Sequence, residues 1–271
     1  MSFSGIVEIV HHQQVGPEHF LMRVLAPVLT RLAKPGQFVH ARCNTVMDPL
    51  LRRPISLHGI DYKAGTVSLL YQVVGQGTRL LSEMRVGDEI DIMGPLGQGF
   101  TIPDQTERVL VVGGGIGVAP LFPLIQALKH YKVEQTVLIG ARTALYIVGT
   151  SQLSSLGVKV EVATDDGSMG YKGFVTDLAE KQLKLAKPDY FFACGPNPML
   201  RELQKVTAKY GVKGQISLEE RMGCGVGACL ACVCKTKVAG LVVSDKTNDF
   251  EYSKVCTDGP VFVASEVIID G

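Results

Sequence analysis

Apolar and polar residues alternate along the N-terminal third of the chain, and the pattern then changes. Alternation appears at 20–24, 37–41, 54–57 and 66–71, with Pro35-Gly36 and Val86-Gly87-Asp88 among the turn residues between runs. A period of two marks strands with one buried face. Short strands at regular spacing predict a small antiparallel barrel, interrupted by one short helix at 78–84 after Gly75-Gln76-Gly77. From about residue 106 the pattern becomes a continuous apolar run, Arg108-Val109-Leu110-Val111-Val112, followed by Gly113-Gly114-Gly115-Ile116-Gly117-Val118-Ala119-Pro120 and an apolar helix to about His130. Further strands are expected at 136–140, 159–163, 190–194 and 215–218, with helices between them, most clearly at 198–210. Apolar strands alternating with helices predict a parallel sheet covered on both faces.

The stretch 109–128 carries no charge, but its glycines and its prolines Pro120 and Pro123 divide it into strand, loop and helix. It is a nucleotide-type pattern rather than a membrane span. Ligands of such sheets bind at the carboxyl ends of the strands, where two glycine-containing turns fall. One is Gly113 to Gly117, which lacks the strict G-x-G-x-x-G spacing. The other is Cys194-Gly195-Pro196-Asn197-Pro198-Met199, in which Cys194 is expected to face the crevice unless it is a small buried hydrophobe. Asp165 and Asp166 end a third strand, placed either to meet a ribose hydroxyl or to form a plain acidic turn.

Near the C-terminus the periodicity stops at Glu220-Arg221-Met222-Gly223-Cys224-Gly225-Val226-Gly227-Ala228-Cys229-Leu230-Ala231-Cys232. The C-x4-C-x2-C spacing with a distant fourth cysteine, Cys256, is the plant-type 2Fe–2S pattern. Glycines leave room in such a loop, admit positive φ, and let backbone amides point at sulfur. Buried structural thiols or a four-cysteine zinc site are the alternatives, although zinc sites more often pair two short C-x2-4-C segments. Cys234 is expected on the opposite strand face from Cys232, as a bystander, and the polar segment 244–253 is expected as a surface loop.

Two barrel motifs carry further chemistry. Arg53-Pro54-Ile55-Ser56, preceded by Arg52, combines a phosphate-binding guanidinium with a hydroxyl three residues on. Gly75-Gln76-Gly77-Thr78 opens a helix whose free amides suit a pyrophosphate. His11, His12, His40 and His58 have no ligand spacing and are read as structural. The net charge of +1 offers no attraction to nucleic acid or an anionic membrane. Seven cysteines, an odd number crowded into one region, argue for a reducing compartment. With no signal-peptide pattern at Met1 to Glu8, a cytoplasmic location is expected.

Barrel, nucleotide-type sheet and cysteine loop, in that order, resemble the ferredoxin reductase-like flavoproteins. The implied domains are an FAD-binding barrel at 1–102, an NAD-binding α/β domain at 103–219 and a small 2Fe–2S domain at 220–271. Within that superfamily the tail resembles the electron-transfer subunits of NAD-dependent dihydroorotate dehydrogenase. The resemblance implies FAD against Arg53, Pro54, Ile55 and Ser56, beside the backbone of Leu70, Tyr71 and Gln72, with its pyrophosphate on Gly77 and Thr78. It implies NAD across Gly113, Gly114, Gly115 and Gly117, with its nicotinamide near Cys194, Gly195 and Pro196. The cluster falls to Cys224, Cys229, Cys232 and Cys256. Ile55 stands where many relatives carry a tyrosine. The implied partner is an FMN-containing catalytic subunit that oxidises dihydroorotate to orotate, in a heterotetramer of two of each chain. Arg142 leaves open NADP in place of NAD. An electron-transfer subunit of a sulfite reductase, hydrogenase or ferredoxin–NADP transhydrogenase would share every cofactor and differ in partner. A zinc-binding module without flavin is the reading from a different class.

Overall fold

The computed structural model describes residues 2–44, 48–238 and 250–270. Six strands close the barrel: β1 (Phe3–Gly16), β2 (His19–Leu25), then, after helix α1 (Pro27–Leu32), β3 (Phe38–Ala41), β4 (Arg53–Asp61) and β5 (Thr66–Gln72), and, after helix α2 (Gln76–Glu83), β6 (Glu89–Leu96). The strand order is β1-β2-β5-β4-β3-β6, and β6 pairs with β1 to complete it. Alternate residues fill the interior, among them Val7, Ile9, Met22, Val24, Val39, Ala41, Leu57, Val67, Leu69, Ile90 and Ile92. That is the period-two burial the alternating runs encode. β1 lay outside the marked alternation because it is long and mostly exposed on one face, with bulges in its pairing to β2.

The nucleotide-type sheet follows with β7 (Arg108–Gly114), α3 (Leu121–His130), β8 (Glu134–Ala141), α4 (Thr150–Ser155), β9 (Lys159–Thr164), β10 (Tyr171–Lys172), α5 (Val175–Leu185), β11 (Tyr190–Cys194), α6 (Asn197–Lys209) and β12 (Lys213–Ser217). These strands run parallel in the order β10-β9-β8-β7-β11-β12. Val109, Val111, Val137, Ile139 and Phe192 pack on one face with α3. Leu110, Val112, Leu138, Phe191 and Ile216 pack on the other with α5 and α6. Burial on both faces explains why these strands read as continuous apolar runs.

The remaining strands are β13 (Val233–Lys237), β14 (Phe250–Lys254), β15 (Val261–Val263) and β16 (Val267–Ile268). β14, β13 and β16 form a small sheet, whereas β15 pairs antiparallel with β12 and becomes the seventh strand of the large sheet. The cysteine-bearing segment is thus pinned at both ends, by its exit from β12 and by its return through β15. The expected loop at 244–253 lies outside the described residues up to 249, and Phe250 to Ser253 are strand, paired with Cys234 to Lys237. No helix among the described residues is long and apolar enough to cross a membrane.

Candidate functional site

A cleft of about 810 Å³ opens on the outer face of the barrel. Its walls include Arg53, Pro54, Ile55 and Ser56 from β4, Leu70, Tyr71 and Gln72 from β5, and Thr78 at the start of α2. Register explains the gathering, since β3 pairs with β4 and sets Phe38 opposite Ser56 and His40 opposite Pro54. The two adjacent arginines have separate roles. Arg52 is tied to the barrel, its Nη2 2.6 Å from the Asp91 carboxylate and its Nη1 donating to the Asp91 carbonyl at 2.9 Å. Arg53 instead lies over Gly77, where an added Cβ would collide with the guanidinium. The two barrel motifs, separate in sequence, therefore meet at one wall. The Thr78 hydroxyl is already engaged in its turn, accepting from the amides of Val74 and Gly75 and donating to the Gly75 carbonyl. Leu70 and Tyr71 have buried side chains, and the Tyr71 hydroxyl meets His12 Nε2 at 2.9 Å. What these two offer the cleft is chiefly main chain.

A second cleft, of about 630 Å³, lies at the carboxyl ends of β7, β8, β9 and β11. Gly114, Gly115 and Gly117 line it, facing Gly195 and Pro196. Both clefts fall in the size range of ligand sites, about 300–1,000 Å³. They share Gln72, Ile116 and Glu219, so they open into one another. Two of the glycines are needed for close approach: a Cβ on Gly117 would sit 2.5 Å from the Cys194 carbonyl oxygen, and one on Gly114 2.5 Å from Met199 Sδ. Arg142 and Asp165 also line this cleft. Asp166 does not, because its carboxylate accepts from the Ser168 amide at 2.9 Å and hydroxyl at 2.6 Å.

Three of the expected contacts differ. Cys194 does not face the crevice: alternation along β11 turns it, with Phe192, into the core beneath α3, and it is fully buried. Burial, foremost, holds its thiol well above the ordinary range. Gly113 also stays within the sheet, under Val118 and Leu121, and lines neither cleft. Gly77 lines neither cleft either, because the Arg53 guanidinium lies over it, whereas Ile55 packs into the barrel core and still keeps its edge in the first cleft.

The cysteine loop leaves β12 through Leu218, Glu219, Glu220, Arg221 and Met222, all of which line the first cleft. Gly225 and Gly227 have φ of +71° and +80°, and the turns they make aim amides at sulfur. The N–H groups of Val226, Ala228 and Cys229 donate to Cys224 Sγ at 3.3–3.4 Å. Cys224 N–H donates to Cys229 Sγ at 3.4 Å, and Gly227 N–H to Cys256 Sγ at 3.2 Å. The amide of Val226, ahead of the others, brings the Cys224 thiol down to about 6. The Cys256 thiol, buried and beside Cys232, is pushed up to about 11. The sulfurs thus approach as two pairs, Cys224 with Cys229 and Cys232 with Cys256. Among the described residues no three acidic, histidine or cysteine groups converge tightly on one point. Four thiols in two pairs, with amides turned toward them, form a donor set that fits an iron–sulfur cluster. Because Cys232 lies in the turn ahead of β13, Cys234 is not set opposite it by strand alternation. It packs on the same core as Cys232 and takes no loop amide among the described hydrogen bonds.

Glu219 escaped sequence reasoning, and His40 was read from sequence only as structural. Glu219 stands at the junction of the clefts, in contact with cleft solvent yet crowded by protein, and burial raises its carboxyl above the ordinary range. His40 is fully buried with neither ring nitrogen partnered, a state that costs about 1–3 kcal/mol for an unsatisfied polar group. His12 and His58, by contrast, are tied to Met84 and Ala119 carbonyls, as structural histidines are.

A closed barrel docked on a parallel sheet, with two communicating clefts between them, defines a ferredoxin reductase-like protein, here with a cysteine loop added. Residues 219–268 match the iron–sulfur cluster binding domain of dihydroorotate dehydrogenase B. The dihydroorotate dehydrogenase B (NAD(+)) electron transfer subunit of Desulforamulus reducens is 44% identical over 94% of this chain and 94% of its own. The corresponding subunit of Geobacillus sp. WCH70 is 41% identical over 96% and 97%. Among solved structures, the NADH-dependent reduced ferredoxin-NADP oxidoreductase, described for flavin-based electron bifurcation, superposes with a TM-score of 0.83 at 32% identity, over 99% of this chain and 92% of that one. The ferredoxin reductase of carbazole 1,9a-dioxygenase, at 20% identity and a TM-score of 0.67 over 78% and 67%, shares the fold. The chain belongs to the family of electron-transfer subunits of NAD-dependent dihydroorotate dehydrogenase B.

Proposed function

We propose that this chain relays electrons between NAD in the second cleft, FAD in the first and a 2Fe–2S cluster on Cys224, Cys229, Cys232 and Cys256. Its partner is an FMN-containing catalytic subunit that converts dihydroorotate to orotate in pyrimidine biosynthesis, in a cytoplasmic heterotetramer of two and two. When bound, the flavin supplies exchange of two electrons with nicotinamide and of one at a time with the cluster.

The chain's own residues have defined parts in that arrangement. Arg53 and the first amides of α2 hold the anionic phosphates. Ser56 and the β5 main chain from Leu70 to Gln72 orient the ring. Gly114, Gly115 and Gly117, with Gly195 and Pro196, floor the nicotinamide site, and Cys194 supports that floor from below. Arg142 and Asp165 both line this cleft with opposite charges, so the choice of NAD rests on the family rather than on charge there. The observation that carries the proposal is the continuity of the three sites. The clefts meet at Gln72, Ile116 and Glu219, and the chain runs from Glu219 along the first cleft directly into the thiol loop. The far edge of that loop is solvent-facing at Cys229, Val226 and Leu230, which leaves room for a partner to approach.

An anaerobic visible spectrum with iron and flavin assays, before and after NADH, is expected to show flavin and cluster bands that bleach together. In the reconstituted complex, Cys229→Ser should abolish orotate-linked NAD reduction while NADH still reduces the flavin. Retention of the coupled activity would refute the relay. The similarity to the ferredoxin-NADP oxidoreductase supports a second reading, with another redox partner. Co-purification of a partner lacking FMN and orotate turnover would favour it.

A further inference from the structure

β3 touches both the flavin cleft, through Phe38, and the thiol loop, through His40. Val39 and Ala41 point into the barrel core, so Phe38 and His40 point out of it. Phe38 lines the first cleft and also packs in the core that holds Cys232 and Cys256, where Leu96, Met93 and Met222 join it. His40 lies next along the same face, with its ring edge-on to Phe38 at 6.2 Å between centroids. Opposite it in register is Pro54, a wall of the cleft. Against its other side sits Gly225: a Cβ there would be 2.8 Å from His40 Nδ1 and 2.9 Å from Cε1. The Nδ1 edge of the imidazole is therefore pressed on the residue that follows Cys224.

Both ring nitrogens are sealed from solvent and neither has a partner. A leucine or phenylalanine would fill the same space without an unsatisfied polar atom, so the imidazole needs a partner that the protein atoms do not supply. The sulfides of a cluster held by the loop would be acceptors of the right kind. Resting on the cluster reading above, we propose that His40 is a positioning residue for the iron–sulfur centre, its imidazole N–H donating to a sulfur of the loaded loop on the side facing the flavin cleft. Hydrogen bonds to cluster sulfurs raise the reduction potential, so His40 sets the potential of the cluster relative to the flavin. The ring remains neutral there, since burial, and then Arg52 and Arg53, hold it down to about 4.

The test is an EPR-monitored redox titration of the iron-loaded protein. His40→Leu is expected to move the cluster midpoint to a more negative potential with iron and flavin content unchanged, and His40→Asn, which keeps an N–H donor, to restore part of the shift. An unmoved midpoint in His40→Leu would overturn the proposal. Should that variant fail to fold, pulsed EPR on the reduced wild-type protein with ¹⁵N-labelled histidine decides the matter. A weak histidine nitrogen coupling is expected, and its absence overturns the assignment. Wild-type protein with no iron and no EPR signal would instead overturn the cluster reading itself, an outcome distinct from a cluster whose potential ignores His40.

Discussion

Two glycine-rich turns serve the two ends of the proposed relay, and they need glycine for different reasons. In the turn after β7, the missing Cβ makes closeness possible, because Gly114 and Gly117 lie against Met199 and the Cys194 carbonyl. Only Gly115 there has positive φ, +55°, and nothing lies within 4 Å of its absent Cβ. In the cysteine loop, handedness comes first, with close approach to His40 added at Gly225. Gly225 and Gly227 take left-handed backbone, the amides that follow them, of Val226 and Ala228, turn inward to Cys224, and the Gly227 amide itself turns to Cys256. One turn builds a flat floor by letting two chain segments touch, and the other builds an inward-facing nest of donors.

The comparison breaks most sharply at Gly117. Gly117→Ala drives a methyl into backbone that has no rotamer to yield, so a loss of about 1–3 kcal/mol or more is expected, together with loss of flavin reduction by NADH. Thermal unfolding and an NADH titration check both, and an unchanged melting temperature would mean the close packing is not required. Arg53→Ala acts on the first cleft alone. A charge-assisted hydrogen bond is worth about 1.5–3 kcal/mol, so FAD should bind roughly 10–100-fold more weakly, measured by recovery of flavin fluorescence, with iron retained.

Gly225→Ala sharpens the contrast from the other end. Left-handed backbone costs a non-glycine residue about 1–2 kcal/mol, and the added methyl also meets His40. Iron content should fall while FAD content and NADH-dependent flavin reduction persist. At Gly115 the same backbone cost applies without any collision, so Gly115→Ala should lower stability by about 1–2 kcal/mol with flavin and iron both retained, read by chemical denaturation.

The smallest effect concerns pH. A carboxyl whose pKa rises on folding stabilises the native state while protonated, and that stability is lost as pH climbs from the unfolded value toward the raised native one. Glu219 is such a group, raised by burial from its ordinary 4.5. Glu219→Gln should therefore flatten the decline of melting temperature as pH rises above about 4.5, measured across a buffer series. A profile that overlays the wild type would show that the carboxyl is freely solvated in the cleft.

Much of the architecture was legible in the chain because burial leaves a period. Alternation marked β2, β3, β4 and β5, and the continuous apolar runs marked β7, β8 and β11 as strands buried on both faces. β1 was missed because its exposed face and bulges dilute the alternation. The return of β15 to the large sheet was missed because three residues carry no period at all. The same limit applied at the sites. Short motifs identify residue types that can hold a phosphate or a metal, but not which way a side chain turns. Cys194 carries a cleft-facing motif yet points into the core, and Cys234 packs against the same core as Cys232.

By itself the sequence determined the chemistry available: four cysteines at cluster spacing, an arginine–serine pair, glycine turns at strand ends and a sheet able to bury both faces. These are local properties, set by residue type and by spacing within a few turns of chain. Only the tertiary structure decided how they combine. It laid Arg53 over Gly77, joined two clefts at Glu219 and pressed His40 onto the residue after Cys224. Each of those contacts joins positions remote in sequence through strand register and close packing, and no local pattern encodes which distant partner will fill a given space.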